Sequence, residues 1–179
     1  MARYQHSPED LKIMPDVSPV LGRTRTEAQS KFQGLQDFVH PDVGFALLAS
    51  VTGGIDFSRF PLDGPIPERP TTNGSKSRQQ LMAELAPWET LSLRELSVRG
   101  AGARGHWQVV GMAADIADAL EERLRGHGAD GSNVMPPLPP TGFADFAALV
   151  PPELRGRGLF RHDYIGTTLL SHGQSYRRS

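Results

Sequence analysis

The stretch from Arg99 to Pro137 constrains the fold more than any other part of the chain. A β-branched run, Gln108-Val-Val110, stops at Gly111. The residues after it carry Ile116, Ala117, Leu120 and Leu124 on one helical stripe, with acids and arginines opposite. Gly126 and Gly128 end that helix, and Asn133-Val-Met135 is a second short apolar strand closed by Pro136-Pro137. Strand, helix and strand at this spacing predict one βαβ unit. Residues 108–111 and 132–136 are expected as adjacent parallel strands with a right-handed crossover, and helix 113–125 across them.

Length narrows what that unit can belong to. A chain of 179 residues suits one domain, whereas a complete (β/α)8 barrel takes roughly 200 to 250 residues or more. The 19 glycines and 15 prolines concentrate in loops and predict long irregular segments. A net charge of −1 removes any electrostatic case for nucleic acid or an anionic membrane as partner. Without cysteine there is no disulfide, thiol catalysis or thiolate metal site, which fits a reducing compartment. No apolar run approaches a membrane span and no signal-peptide core opens the chain, so the expected location is the cytoplasm.

In chain order, Met1 to Asp10 is a polar terminus. Leu11 to Leu21 reads as one strand interrupted at Pro15. Thr24-x-x-Glu27 is a capping box, opening a helix with Ala28, Phe32, Leu35 and Val39 on one face that ends before Pro41. Residues 42–50 are apolar and helical in spacing. Residues 51–74, rich in Gly and Pro, form a long loop insertion, which in a compact protein points to function. Helical spacing returns over 75–96 with a break at Pro87. Phe143, Phe146, Leu149 and Val150 form a stripe ending at Pro151-Pro152, with one more turn over 153–155. The tail from Arg157, and 165–179 above all, is expected to be mobile.

Few residues carry chemistry on their own. Gly100, Gly102 and Gly105 resemble a phosphate-cradling loop, but such a loop follows a strand and this one precedes one. A tight turn needing positive φ explains the glycines better. His106 lies between that turn and a strand, where a ligand reaches it and where an ordinary packed histidine would also fit. Ser77-Arg78 after Asn73-Gly74 suits an anionic group at a helix start, although capping plus a surface arginine explains it as well. His127-x-x-Asp130 and Arg161-His162-Asp163 lack a third ligand, so no metal site is expected. Asp115, Asp118, Glu121 and Glu122 read as a solvated helix face.

Five stretches in order resemble one family: LKIMPDVSPVLGRT, AGARGHWQVVG, the helix beginning IAD-x-L, GADGSNVMPP and RGLFRHDYIGTTL. Together they are similar to the luciferase-like flavin-dependent monooxygenases, within the group acting on nitrilotriacetate, EDTA, dibenzothiophene sulfone and long-chain alkanes. The resemblance covers nearly all of residues 1–179 but only the C-terminal part of that family's barrel. It implies an α/β fold made of the last βα units of a (β/α)8 TIM barrel, with parallel strands and residues 51–74 inserted beside the barrel mouth. It further implies reduced FMN delivered by a separate NAD(P)H-dependent flavin reductase, O2 as oxidant and a small organic substrate. The expected flavin contacts are Gly105, His106 and Asn133, with His106 also catalytic as a hydrogen-bonding or proton-transferring group. The expected substrate contacts are Asn73, Ser77, Arg78 and Phe143.

The chain departs from the family pattern at Met112-Ala-Ala114, where Thr-Pro-Glu is usual, and at Gly100, Ser132 and Asp16, the last replacing a glycine. In that family the first strands and the loop gripping the FMN phosphate lie earlier in the barrel. Three strands cannot close a barrel, so an N-terminal fragment or a second copy is the expected partner. The alternative is a non-catalytic remnant with a structural or interaction role.

Overall fold

The computed structural model describes residues 11–52, 54–64, 92–103, 106–163, 167 and 168. Three parallel strands form its sheet, in the order β2-β1-β3, with β1 at Asp16–Leu21, β2 at Trp107–Gly111 and β3 at Asn133–Val134. Helices α1 (Arg25–Asp37), α2 (Pro41–Thr52), α3 (Leu93–Ala103), α4 (Ala113–Arg125) and α5 (Thr141–Gly156) connect and cover them. The expected βαβ unit is present with α4 in place, but its strands are not neighbours. β1 lies between β2 and β3 and pairs with each.

β1 pairs with β2 from Val17 to Leu21 and with β3 only at Asp16 and Val17. Ile13, Pro15 and Val17 accept through their carbonyls from Asp130, Asn133 and Met135, whereas further along Gly22 donates to the carbonyl of Gly111. This stagger lets a central strand carry a proline. By alternation Pro19 turns its missing N–H to the side of β3, which has ended by that level.

Two βα corners use the same device at their helix starts. In α1, Thr24 accepts from the Glu27 N–H at 3.1 Å and Glu27 accepts from the Arg23 N–H at 2.9 Å. In α4, Met112 has no side-chain acceptor to offer, yet Asp115 still takes the Met112 N–H at 2.9 Å. Asp115 thus supplies the returning half of a capping box whose first half is missing. Gly22 and Gly111 are required at these corners. An added Cβ would lie 2.3 Å from the Ala28 nitrogen at the first and 2.7 Å from the Asp115 Cβ at the second.

One core lies between the sheet and its helices, where Leu21 meets Ile116, Phe146 and Val150, with Val109, Leu120, Val134 and Leu154 around them. Leu48, Phe57, Leu93 and Leu96 form a second, between α2, α3 and a 3-10 turn at Phe57–Arg59. The expected insertion 51–74 is therefore anchored where it is described. Leu93 and Arg94 donate to the carbonyls of Gly64 and Leu62, and Phe57 is buried.

Three local expectations are corrected. α3 runs on through Gly100 and Gly102, so these glycines are helical and form no left-handed turn. The buried row Leu93, Leu96 and Ser97 holds the helix against their poor propensity. α5 continues past Pro151-Pro152 to Gly156, because Val150 and Leu154 pack on the sheet core on both sides of the prolines. The tail does not loosen at Arg157, whose guanidinium reaches Asp118 at 2.6 Å, Glu121 at 3.0 Å and Glu153 at 2.9 Å. The expected helix over 75–91 and most of the tail 165–179 lie outside the described residues.

Candidate functional site

Strand register brings the sequence candidates together in one row. Val17 is the partner of Trp107, and Asp16 the partner of Asn133. His106, just ahead of Trp107, therefore stands level with Asp16 and Asn133. Parallel partners share a face. Val17, Leu21, Val109 and Val134 face α4 and α5, so Asp16, His106 and Asn133 lie on the alternate face.

Contacts join the three. His106 Nδ1 is 3.2 Å from Asp16 Oδ2, with the two side chains 25% and 34% exposed. Asn133 Nδ2 donates to Asp16 Oδ1 at 3.2 Å and to the Met14 carbonyl at 3.1 Å. One carboxylate oxygen thus accepts from the β3 side chain, and the other lies close to the imidazole just ahead of β2. The row stands at the N-terminal ends of the three parallel strands.

The other candidates are not brought into this row. Phe143 sits on the first turn of α5 with 56% of its surface exposed. Gly105, Asn73, Ser77 and Arg78 lie outside the described residues. Asp16 was visible in the sequence only as a departure from the family pattern. Its signal was a charged residue at the start of a strand whose neighbours alternate apolar.

The supposed solvated face of α4 is instead its charged fastening. Arg25 of α1 grips Asp115 with Nη2 2.6 Å from Oδ1 and Nε within 3.2 Å of both oxygens. Those bonds, with the Met112 N–H, hold the Asp115 carboxyl below the usual carboxylate range. Arg125 and then Arg157 lower Glu121 in the same way, and Arg157 itself is held more firmly protonated by Asp118, Glu121 and Glu153. Among the described residues no cluster of three His, Asp or Glu side chains is arranged to hold a metal ion.

A cleft of about 50 Å³ lies beside Leu21, Lys31, Pro137 and Asp145. Ligand pockets run to roughly 300–1,000 Å³, so this cleft takes a water or two and no ring system. Among the described residues no helix is long and apolar enough to cross a membrane.

Comparison with known proteins gives the arrangement its context. No family model matches the chain. It is 42% identical over 173 residues to the N-acetyl-S-(2-succino)cysteine monooxygenase of Bacillus subtilis, covering 96% of this chain and 39% of that protein. It is 40% identical over 173 residues to nitrilotriacetate monooxygenase component A of Aminobacter aminovorans, covering 96% and 38%. This chain is homologous to the C-terminal part of luciferase-like monooxygenases.

The crystal structure of riboflavin lyase (RcaE) with modified FMN and riboflavin superposes with a TM-score of 0.71 at 27% identity, over 94% of this chain and 36% of that one. The sheet and helices described above are therefore a segment of a luciferase-like TIM barrel. The chain spans under two fifths of the length of these curated relatives.

Proposed function

We propose that this chain forms the C-terminal portion of an FMN-dependent, two-component monooxygenase that acts in the cytoplasm on a small organic substrate. Reduced FMN would come from a separate NAD(P)H-dependent flavin reductase. The observation that carries this reading is 40–42% identity to two named monooxygenases over 96% of the chain.

By resemblance Gly105, His106 and Asn133 are the proposed flavin contacts, although the row stands at the N-terminal ends of its parallel strands, opposite the face at which (β/α)8 barrels hold ligands. His106 Nε2 and the Asn133 amide oxygen stand level on one face, and Gly105 adjoins them in sequence. When bound, the reduced flavin supplies the oxygen chemistry with O2, while the protein binds, orients and excludes water. His106 is the group proposed to hold or move a proton, as an imidazole can. Asn133 would orient the ligand through its amide oxygen. Asn73, Ser77, Arg78 and Phe143 remain the proposed substrate contacts, with Arg78 suited to an anionic group.

The small cleft beside Leu21 cannot enclose an isoalloxazine, and the resemblance puts the phosphate grip in another part of the barrel. Flavin binding therefore needs a complementing segment, either an N-terminal fragment or a second copy. Titrating the 179-residue chain with FMN at micromolar protein is expected to give no stoichiometric complex. Tight binding by the chain alone would overturn the need for a partner.

Adding a fragment that carries the remaining strands is expected to restore flavin binding and substrate-dependent oxygen uptake. In that reconstituted enzyme, His106→Ala should lower coupled product formation by about 10²-fold or more and raise hydrogen peroxide release. Unchanged coupling would remove His106 from the chemistry. Failure of every complementing fragment to restore flavin binding would favour the non-catalytic remnant. That second reading is supported by the sheet itself, since the outer edges of β2 and β3 have no strand partner among the described residues.

A further inference from the structure

We propose that α1 is a strap closed over the C-terminal ends of the three strands, which must lift before a ligand can reach them. The inference rests on the reading of the chain as part of a monooxygenase barrel, whose ligand end is that face. It deepens that reading by naming what closes the entrance. The contacts of α1 trace its path. At its first residue, Arg25 grips Asp115 on the first turn of α4, just beyond the end of β2. Three residues on, Ala28 sits against Gly22, directly after the end of β1, where a Cβ would come within 2.3 Å of the Ala28 nitrogen. Lys31, besides pairing with Glu27 in its own helix, donates to the carbonyl of Leu21 at 3.0 Å. Its Nζ also lies 3.8 Å from Asp145, near the start of α5 and so beyond the end of β3. Within two turns α1 has passed from the end of β2, over the end of β1, toward the end of β3.

Latches hold this strap more than packing does. α1 buries one side chain, Ala28, and gives no residue to either hydrophobic core. By contrast α4 sinks Ile116 and Ala117 completely. An element with few buried apolar contacts opens at a lower free energy than the core it rests on. Arg25 and Lys31 leave 76% and 33% of their side chains in solvent, so salt reaches both latches. With the strap down, the rim beside Leu21, Lys31 and Asp145 offers only the cleft of about 50 Å³.

The chain has no cysteine, so one introduced thiol reads the motion. Ala28→Cys places it between α1 and the end of the sheet, and Val150→Cys, in the sheet core, is the reference. A neutral maleimide is expected to label the first at least about tenfold faster than the second, as a locally opening element requires. Adding Arg25→Gln and Lys31→Met should speed labelling at position 28 by about threefold to tenfold, the scale of two exposed ion pairs lost, and leave position 150 unchanged. Hydrogen exchange on the cysteine-free chain is the second measurement. A helix of 13 residues is marginal on its own, so a lifted α1 loses amide protection, and the two latch substitutions should speed exchange in α1 alone.

Equal acceleration in α1, α4 and α5, or at positions 28 and 150, would make α1 part of the core and overturn the proposal. No acceleration in α1 would overturn it as well, since the latches would then hold nothing. Neither measurement uses flavin or substrate. A strap that stays shut therefore leaves the monooxygenase reading standing, and loss of that reading leaves the opening rates intact.

Discussion

The two hydrophobic cores are built on different principles. The sheet core gathers Leu21, Ile116, Phe146 and Val150 from three distant parts of the chain. Arg25–Asp115 ties α1 to α4, and Arg157 with Asp118 and Glu121 ties α5 to α4. The α2–α3 core gathers Leu48, Phe57, Leu93 and Leu96 through close backbone approach, with a Cβ at Gly44 only 3.1 Å from the Ser97 carbonyl oxygen and from its Oγ. The first depends on side-chain volume and charge pairing, and the second on the absence of a side chain. Only the first positions the His106–Asp16–Asn133 row, because it sets the register of the three strands.

The harshest way to break this comparison is Ile116→Asp. Ile116 is fully buried, and an unpaired carboxylate there should destabilise by about 4 kcal/mol or more. Urea unfolding followed by Trp107 fluorescence reads it, because Trp107 is on β2 beneath the Arg123 guanidinium, 3.6 Å from its ring centroid. Loss of well under 1 kcal/mol would show that the sheet core does not hold the strands.

Leu93→Ala tests the other core. Leu93 is fully buried as well, and the truncation should cost about 2–5 kcal/mol. If the cores are distinct, hydrogen exchange speeds up in α2 and α3 while α4 amides keep their protection. Equal loss in α4 would mean a single cooperative unit.

These contrasts explain what the sequence made legible. The sheet core announced itself through period: Ile116 and Leu120 on α4 and the apolar runs of β1 and β2 placed the elements correctly. Strand order did not follow, because nothing in residues 108–111 or 132–136 says that residues 16–21 slide between them. The α2–α3 core was hidden, since Gly44 and Ser97 are unremarkable until they touch and Phe57 sits in a stretch dominated by Gly and Pro. At the candidate site His106 and Asn133 were legible through resemblance. Asp16 drew notice only as an oddity, because its meaning depends on a register that no local pattern encodes.

A gentler probe uses two glycines in helices. Gly44→Ala puts a methyl against Ser97 and should destabilise the α2–α3 core by about 1–3 kcal/mol through overpacking. Gly34→Ala, in α1, meets nothing within 4 Å and should stabilise by about 0.4–1 kcal/mol by restricting the unfolded chain. Opposite signs in thermal unfolding are the expected result. The same sign for both would deny that close approach distinguishes α2 from α1.

The smallest effect is acid sensitivity, and it belongs to the sheet side. Arg25 and the Met112 N–H lower the Asp115 carboxyl in the folded chain. A group whose folded value lies below its unfolded one binds fewer protons when folded. Its contribution is therefore complete above the unfolded range, near about 3.9, and disappears as pH falls through the folded value. Asp115→Asn keeps the shape, removes the charge, and should flatten part of the acid limb of stability against pH while leaving the neutral-pH fold intact. Arg25 is mostly exposed, with 76% of its side chain in solvent, so salt should screen the pair and shrink the difference between the two proteins. Asp63 and Arg94, exposed partners at the edge of the α2–α3 core, provide the matching test. Asp63 is lowered by Arg94 alone, with no backbone N–H in support, so Asp63→Asn should move the acid limb less than Asp115→Asn does. An equal or larger shift at Asp63 would mean that the helix-start hydrogen bond to Met112 adds nothing to the charge pairing.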